Sequence, residues 1–232
     1  MIIGGLQKLT LIDYPEHIAA TVFTVGCNFR CPFCHNPELV ISNFQFPISN
    51  ILEKDFFEFL ESRRGKLEGI CITGGEPTIQ PDIVEFIRKI KNLGYKVKLD
   101  TNGTRPDVLR ELFSEKLLDF VAMDIKNIPE LYNKTTNARV DVERIKLSVD
   151  QIRNSGVDYE FRTTAVPGLH KEGDFEKIGK WLTGAKKYVL QEYEDQGKIL
   201  DQSLKSKTKG KALDLGKIAK KIGIYFGKLE VR

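Results

Sequence analysis

The stretch "GICITGGEPTIQPDIVEFIRKIKNLGYKVKLDTNG", residues 69–103, changes its hydrophobic period twice. "GICIT" (69–73) is a short β-rich run. From about Pro81 to Leu93, Ile83, Val84, Ile87 and Ile90 fall on one helical face, and Gly94 supplies the stop. "KVKLD" (96–100) then returns to strand. Two strands joined through a helix read as a parallel pair, because only a crossover of that length brings the chain back to the same end of a sheet.

The pattern continues on both sides. "AATVFTV" (19–25), "DFVAMD" (119–124), "DYEFRTT" (158–164) and "YVLQEY" (188–193) complete six strand-like runs. Glu53 to Arg64 reads as a helix buried through Phe56, Phe57 and Leu60. Asp141 caps a second presenting Val142, Ile145, Val149 and Ile152 and ending near Gly156, and Asp174 caps a third presenting Phe175, Ile178, Trp181 and Leu182. Residues 126–141 read as a loop or short helix. Six strands with helical crossovers predict a parallel α/β sheet, either open and doubly wound or curled into a barrel or part of one. No repeat or linker divides the chain, so a single domain is expected.

The 232 residues, 41% of them hydrophobic, suffice for a substantial core. No apolar run approaches the roughly 18 residues of a membrane span, and the first residues lack a basic segment followed by a long apolar one. A cytoplasmic protein without membrane partners is expected. The net charge of +4 is uneven: residues 197–232 hold ten Lys or Arg against three Asp or Glu. Such a segment suits a solvated surface, an acidic protein partner or nucleic acid. No aromatic residue is interleaved with the lysines of "LKSKTKGKALDLGKIAKKIG" as a stacking platform, so nucleic acid is not expected.

Three of the four cysteines lie in "TVGCNFRCPFCHNPEL", residues 24–39, as C-x3-C-x2-C directly after the first predicted strand. In either parallel architecture this loop falls at the carboxyl ends of the strands, where ligands bind. A clustered set in a reducing compartment argues against disulfides. Structural zinc needs a fourth ligand. Cys71 sits mid-strand as an ordinary buried thiol, and His35, adjacent to Cys34, is poorly placed to close the same tetrahedron. Three thiolates can instead hold three corners of a four-iron cluster, leaving one iron open to a substrate or cofactor.

"CNFRCPFC", with Phe33 before its last cysteine, resembles the signature of radical S-adenosylmethionine enzymes. Residues 5–40, "GLQKLTLIDYPEHIAATVFTVGCNFRCPFCHNPELV", are similar more narrowly to activating enzymes of glycyl-radical proteins, especially the type that serves anaerobic ribonucleoside-triphosphate reductase. The resemblance covers roughly residues 4–193. It implies one radical S-adenosylmethionine domain over 1–232, with a core of about 15–195 and a basic extension of about 197–232. It implies a [4Fe-4S] cluster on Cys27, Cys31 and Cys34, with S-adenosylmethionine on the open iron.

Strand ends elsewhere agree with this. "TGGEP" (73–77) offers Gly74 and Gly75 for close backbone approach and the Glu76 carboxylate, and resembles the family's motif for the methionine amino group. The resemblance places Asp100, Thr101, Asp124 and Lys126 around the methionine moiety, Arg162 on the cofactor carboxylate, and "VPG" (166–168) near the adenosine, with His170 close by. Only 39 residues separate Cys34 from Gly74, and none is cysteine before Cys71, so an inserted ferredoxin module is not expected and one cluster is.

The implied activity is reductive cleavage of S-adenosylmethionine to methionine and a 5′-deoxyadenosyl radical, which takes hydrogen from a glycine of a partner glycyl-radical enzyme. A flavodoxin or ferredoxin is the implied electron donor. A protein loop must enter the mouth, which favours a partial (β/α)6 TIM-type barrel with parallel strands, open on one side. Two alternatives stay open at this point: a radical enzyme acting on a small molecule, and a zinc-binding interaction module.

Overall fold

The computed structural model describes residues 1–40, 51–194 and 197–232. The strands are β1 (Ile3–Thr10), β2 (Ala19–Thr24), β3 (Gly69–Gly74), β4 (Lys96–Thr101), β5 (Phe120–Asp124), β6 (Asp158–Ala165), β7 (Ala185–Glu192) and β8 (Phe226–Val231). The helices are α1 (Pro37–Val40), α2 (Glu53–Ser62), α3 (Ile83–Asn92), α4 (Pro106–Ser114), α5 (Tyr132–Thr136), α6 (Val142–Asn154), α7 (Glu172–Trp181), α8 (Ser203–Thr208) and α9 (Leu215–Ile222). Strand order in the sheet follows the chain from β1 to β8. The pairs β2–β3, β3–β4, β6–β7 and β7–β8 are parallel and β1–β2 antiparallel, so the α/β class with an open, mostly parallel sheet holds.

Two strands correct the expected count of six. β1, "IGGLQKLT", contains two glycines and leaves its middle exposed, so it shows neither a continuous apolar run nor clean alternation. β8, "FGKLEV", lies in the lysine-rich tail and buries only its first residue. The cysteine loop therefore follows the second strand rather than the first.

The chain forms two compact units, one of residues 1–28, 38–121 and 144–158, the other of 29–37, 122–143 and 159–232. In the first, Ile70 and Ile72 of β3, Val97 and Leu99 of β4, and Phe86, Ile87 and Ile90 of α3 are all buried, while Cys71 lies on the other face of the sheet beside Lys98. Phe56 of α2 stacks on Phe86 with ring centroids 5.2 Å apart. Of the predicted α3 face Ile83, Ile87 and Ile90 are buried, but Phe86 takes the place expected of Val84, which is only half-buried, and Gly94 takes φ +90° at the helix end, a conformation that favours glycine. Asp141 Oδ1 accepts from the Glu143 amide at 3.1 Å and starts α6 as expected.

In the second unit Phe175 and Ile178 of α7 pack among the buried residues of β6 and β7. Asp174 is not the cap of α7. It is the third residue of the helix, and its Oδ2 accepts from the Lys171 amide at 2.8 Å, satisfying that donor from inside the first turn. The tail is not merely a solvated surface: α9 buries Leu215, Ile218 and Ile222, and β8 extends the sheet. Along that edge, buried Glu160 meets Lys187 at 2.9 Å and Arg232 at 3.3 Å, while Glu230 meets Lys187 at 3.2 Å and Arg232 at 2.9 Å.

Candidate active site

In the first unit the start of the cysteine loop is fastened to the ends of β3 and β4. The Gly26 carbonyl accepts from the Glu76 amide at 2.8 Å, and the Thr24 carbonyl accepts from the Gly75 amide at 2.8 Å. On the other side of Cys27, Asn28 Oδ1 accepts from the Asn102 side-chain amide at 2.8 Å, and Asn28 Nδ2 donates to the Thr104 hydroxyl at 2.8 Å. Both neighbours of Cys27 are thus held by other strand ends.

The two glycines are required for this approach. Gly74 has φ +116°, and a Cβ there would lie 2.3 Å from the Thr24 nitrogen; on Gly75 a Cβ would lie 1.9 Å from the Gly26 carbonyl oxygen. The backbone they admit is the chain's own loop. Because backbone rather than a flexible side chain is struck, Gly75→Ala is expected to cost roughly 3 kcal/mol or more. A urea titration, with the midpoint lowered at unchanged slope, checks this.

Glu76, 1% exposed, is the hub of this half. Its Oε1 accepts from the Thr78 amide at 3.1 Å, the Thr78 hydroxyl and the Thr101 hydroxyl at 2.7 Å, and its Oε2 accepts from the Asn102 amide at 2.6 Å. Burial raises its pKa above the usual carboxylate range, and the hydrogen bonds oppose that shift. Thr101 points its hydroxyl at Glu76. Asp100 forms an ion pair with buried Lys98, whose ammonium lies 3.7 Å from the buried Cys71 thiol.

In the second unit Cys31 and Cys34 share a turn closed by the Cys34 amide on the Cys31 carbonyl at 3.0 Å. Upstream, the Arg30 amide donates to the Thr136 carbonyl at 2.9 Å, and the Phe29 ring meets Tyr132 edge-on at 6.5 Å. Buried Phe33 carries the Lys126 ammonium 5.9 Å from its ring centroid. Burial pushes the Cys31 thiol up to about 11, with the Lys126 charge as the largest opposing influence.

Lys126, Asp124 and Arg162 form a triad, with Lys126 Nζ 3.0 Å from Asp124 Oδ2 and Arg162 Nε 2.9 Å from Asp124 Oδ1. Burial alone would raise the Asp124 carboxyl, but the Arg162 and Lys126 charges outweigh it and hold it at about 2. Both cations thus converge on the one Asp124 carboxylate. The Tyr132 hydroxyl accepts from the Lys126 amide at 3.2 Å.

His170 is 2% exposed, with Nδ1 accepting from the Val166 amide at 3.1 Å and Nε2 lying 2.8 Å from the Lys126 carbonyl oxygen. Both ring nitrogens face backbone, so it braces "VPG" against the Lys126 segment. Burial lowers its pKa, and the neutral imidazole serves both contacts. Asn28, Asn102 and Tyr132 are additions to the predicted set.

The model of the "Radical SAM superfamily" matches residues 21–182. The chain belongs to this superfamily. It is 35% identical over 228 residues, 95% of this chain and 92% of the other, to the "Putative glycyl-radical enzyme activating enzyme" of Methanocaldococcus jannaschii, which places it in the activating-enzyme family. It is 28% identical over 133 residues, 55% of this chain and 53% of the other, to the pyruvate formate-lyase-activating enzyme of Clostridium pasteurianum.

Among solved structures, Streptococcus suis SuiB aligns with TM-score 0.66 and 15% identity over 91% of this chain, which spans about half (48%) of that one. A domain of a pyruvate-formate lyase-activating enzyme from Bacteroides vulgatus aligns with TM-score 0.50 and 14% identity, covering 70% of this chain and 98% of that one. The fold is that of the radical S-adenosylmethionine enzymes, a partial TIM-type barrel, and the superfamily's cofactors are a [4Fe-4S] cluster and S-adenosylmethionine. Membership sets aside the zinc-module alternative.

The donor set fits such a cluster: three thiols on one loop, with no disulfide among the described residues. Among the described residues no three Cys, His, Asp or Glu side chains stand close enough to hold a metal ion. The ligand set is therefore read from the motif. Among those residues, too, no helix is long and apolar enough to cross a membrane.

Proposed function

We propose that this chain is a one-domain cytoplasmic activating enzyme that takes a hydrogen atom from a glycine of a partner glycyl-radical enzyme, the anaerobic ribonucleotide reductase. The observation that carries this reading is the 35% identity to the Methanocaldococcus protein over 95% of the chain. Cys27, Cys31 and Cys34 hold the cluster. The backbone of Gly74–Glu76, together with Asp100, Thr101, Asp124, Lys126 and Arg162, surrounds the methionine end of S-adenosylmethionine.

When bound, the two cofactors supply the one-electron chemistry that generates a hydrogen-abstracting radical. The chain's own residues orient them. Glu76 ties Asn102 and Thr101 to the end of β3, His170 fixes the turn at 166–168, and Asp124 holds the Lys126 and Arg162 side chains in place. Flavodoxin or ferredoxin delivers the electron.

The test is anaerobic mixing of the reconstituted enzyme with S-adenosylmethionine, a reductant and the reductase, followed by electron paramagnetic resonance. A protein-borne signal whose splitting collapses when glycine is deuterated at its α-carbon is expected. Undiminished S-adenosylmethionine cleavage without that signal would overturn the proposal in favour of a small-molecule substrate.

A further inference from the structure

Lys98 of β4 is 2% exposed, the one buried lysine among the described residues. A lysine is rarely buried this far unless it is paired. Its neighbours Val97 and Leu99 turn the other way, into the apolar layer they share with Ile70 and Ile72 of β3, so Lys98 is no part of that layer.

Across the sheet Lys98 is in register with Cys71, and Cys71 with Thr21 of β2. Asp100 follows two residues later on the same face of β4, about 6–7 Å nearer the strand end. The Lys98 side chain spans that step. Its ammonium is ion-paired with Asp100 Oδ1 and lies 3.7 Å from the Cys71 sulfur. A charge rooted deep in the sheet is thus delivered to a carboxylate at the strand end, and with 16% of its side chain exposed Asp100 is the member of the pair that solvent reaches.

A buried ion pair is a poor way to gain stability, since an apolar pair of the same volume often does as well or better. What it supplies is a fixed geometry. Glu76 grips the Thr101 hydroxyl and the Asn102 amide, just beyond Asp100, and the Thr101 side chain leaves the strand on the opposite face. Lys98 acts on the Asp100 carboxylate itself.

We propose that Lys98 is a positioning residue for S-adenosylmethionine: it holds the Asp100 carboxylate in the orientation that meets the methionine end of the cofactor, and acts through that carboxylate rather than on the cofactor. The inference rests on the reading that Asp100 lies beside that end. A binding group serves only where its own rotamer is locked, to within about 0.5 Å. The fixed ammonium removes the torsional freedom that an aspartate at a strand end would otherwise keep.

The test is a double-substitution cycle on the anaerobically reconstituted, unreduced holoenzyme, with equilibrium dialysis of radiolabelled S-adenosylmethionine as the readout. Lys98→Met and Asp100→Ala are each expected to weaken binding about tenfold or more. The double variant is expected to bind within about threefold of the weaker single one, because without the carboxylate the lysine has nothing to hold. Cys71→Ala removes the other neighbour of the same ammonium and is expected to leave the affinity within about twofold. Urea titration shows first that each chain is folded. Lys98→Gln, which keeps a buried donor without the charge, carries the same expectation and takes the place of Lys98→Met if that chain does not fold.

Losses that multiply in the double variant would overturn the proposal, by showing that Lys98 acts independently of Asp100. So would an unchanged affinity in Lys98→Met, or an equal loss in Cys71→Ala, which would mark a packing role. Failure of the underlying reading looks different: Asp100→Ala binds S-adenosylmethionine as the unaltered chain does, or the unaltered holoenzyme does not bind it.

Discussion

A Cys31→Ala chain, reconstituted anaerobically with iron and sulfide, is expected to hold fewer than the roughly four irons of an intact cluster and to cleave S-adenosylmethionine more than about a hundredfold more slowly. The substitution removes one of three thiolates while the loop stays where its backbone holds it, through Arg30 on Thr136, Leu200 on Cys34 and Asp201 on Pro32. The loss should therefore appear in iron content and absorbance rather than in folding. Cys71→Ala is the matched control. That thiol is buried mid-strand in β3, so its removal should cost stability but leave iron and cleavage intact. Full iron loading and undiminished cleavage in the Cys31 variant would refute the ligand assignment.

Glu76→Ala is expected to lose about 3–5 kcal/mol of stability, the larger cost of dismantling a buried charged network rather than a single contact. Four donors from Thr78, Thr101 and Asn102 converge on that carboxylate in a site closed to water, and alanine would strand them all. Glu76→Gln keeps one accepting oxygen and should lose roughly 1–3 kcal/mol. Urea unfolding measures both, and hydrogen exchange at the Asn102 amide locates the damage. A loss under about 1 kcal/mol in the alanine variant would mean that the donors find other partners, and that the carboxylate is there for a ligand.

The six strands read from sequence all exist because each is a short β-rich run between turn residues, a local signal that survives charged residues such as those of 96–100 and 158–164. β1 and β8 left no such signal: exposed on much of their length, they are defined by the strand beside them. The cysteine spacing pointed to a cluster because three thiols on one loop are visible in the sequence itself. The contacts of Glu76 and His170 were not legible, because they depend on which strand ends meet, and spacing along the chain does not encode that. Asn28 and Asn102 were hidden for the same reason, as ordinary turn residues until a loop from elsewhere in the chain met them. The tail looked like featureless positive charge because a lysine paired with Glu172 and one facing solvent read alike.

The ladder of Glu160, Lys187, Glu230 and Arg232 across the last three strands has a consequence for the protein at high concentration. An open sheet offers its outermost strand as a template on which another chain can add, the route to fibrils and precipitates. A second chain adding beside β8 would have to bury Glu230 and Arg232 against its own backbone. Neutralising that ladder would leave catalysis alone and shorten the time the purified protein stays monodisperse.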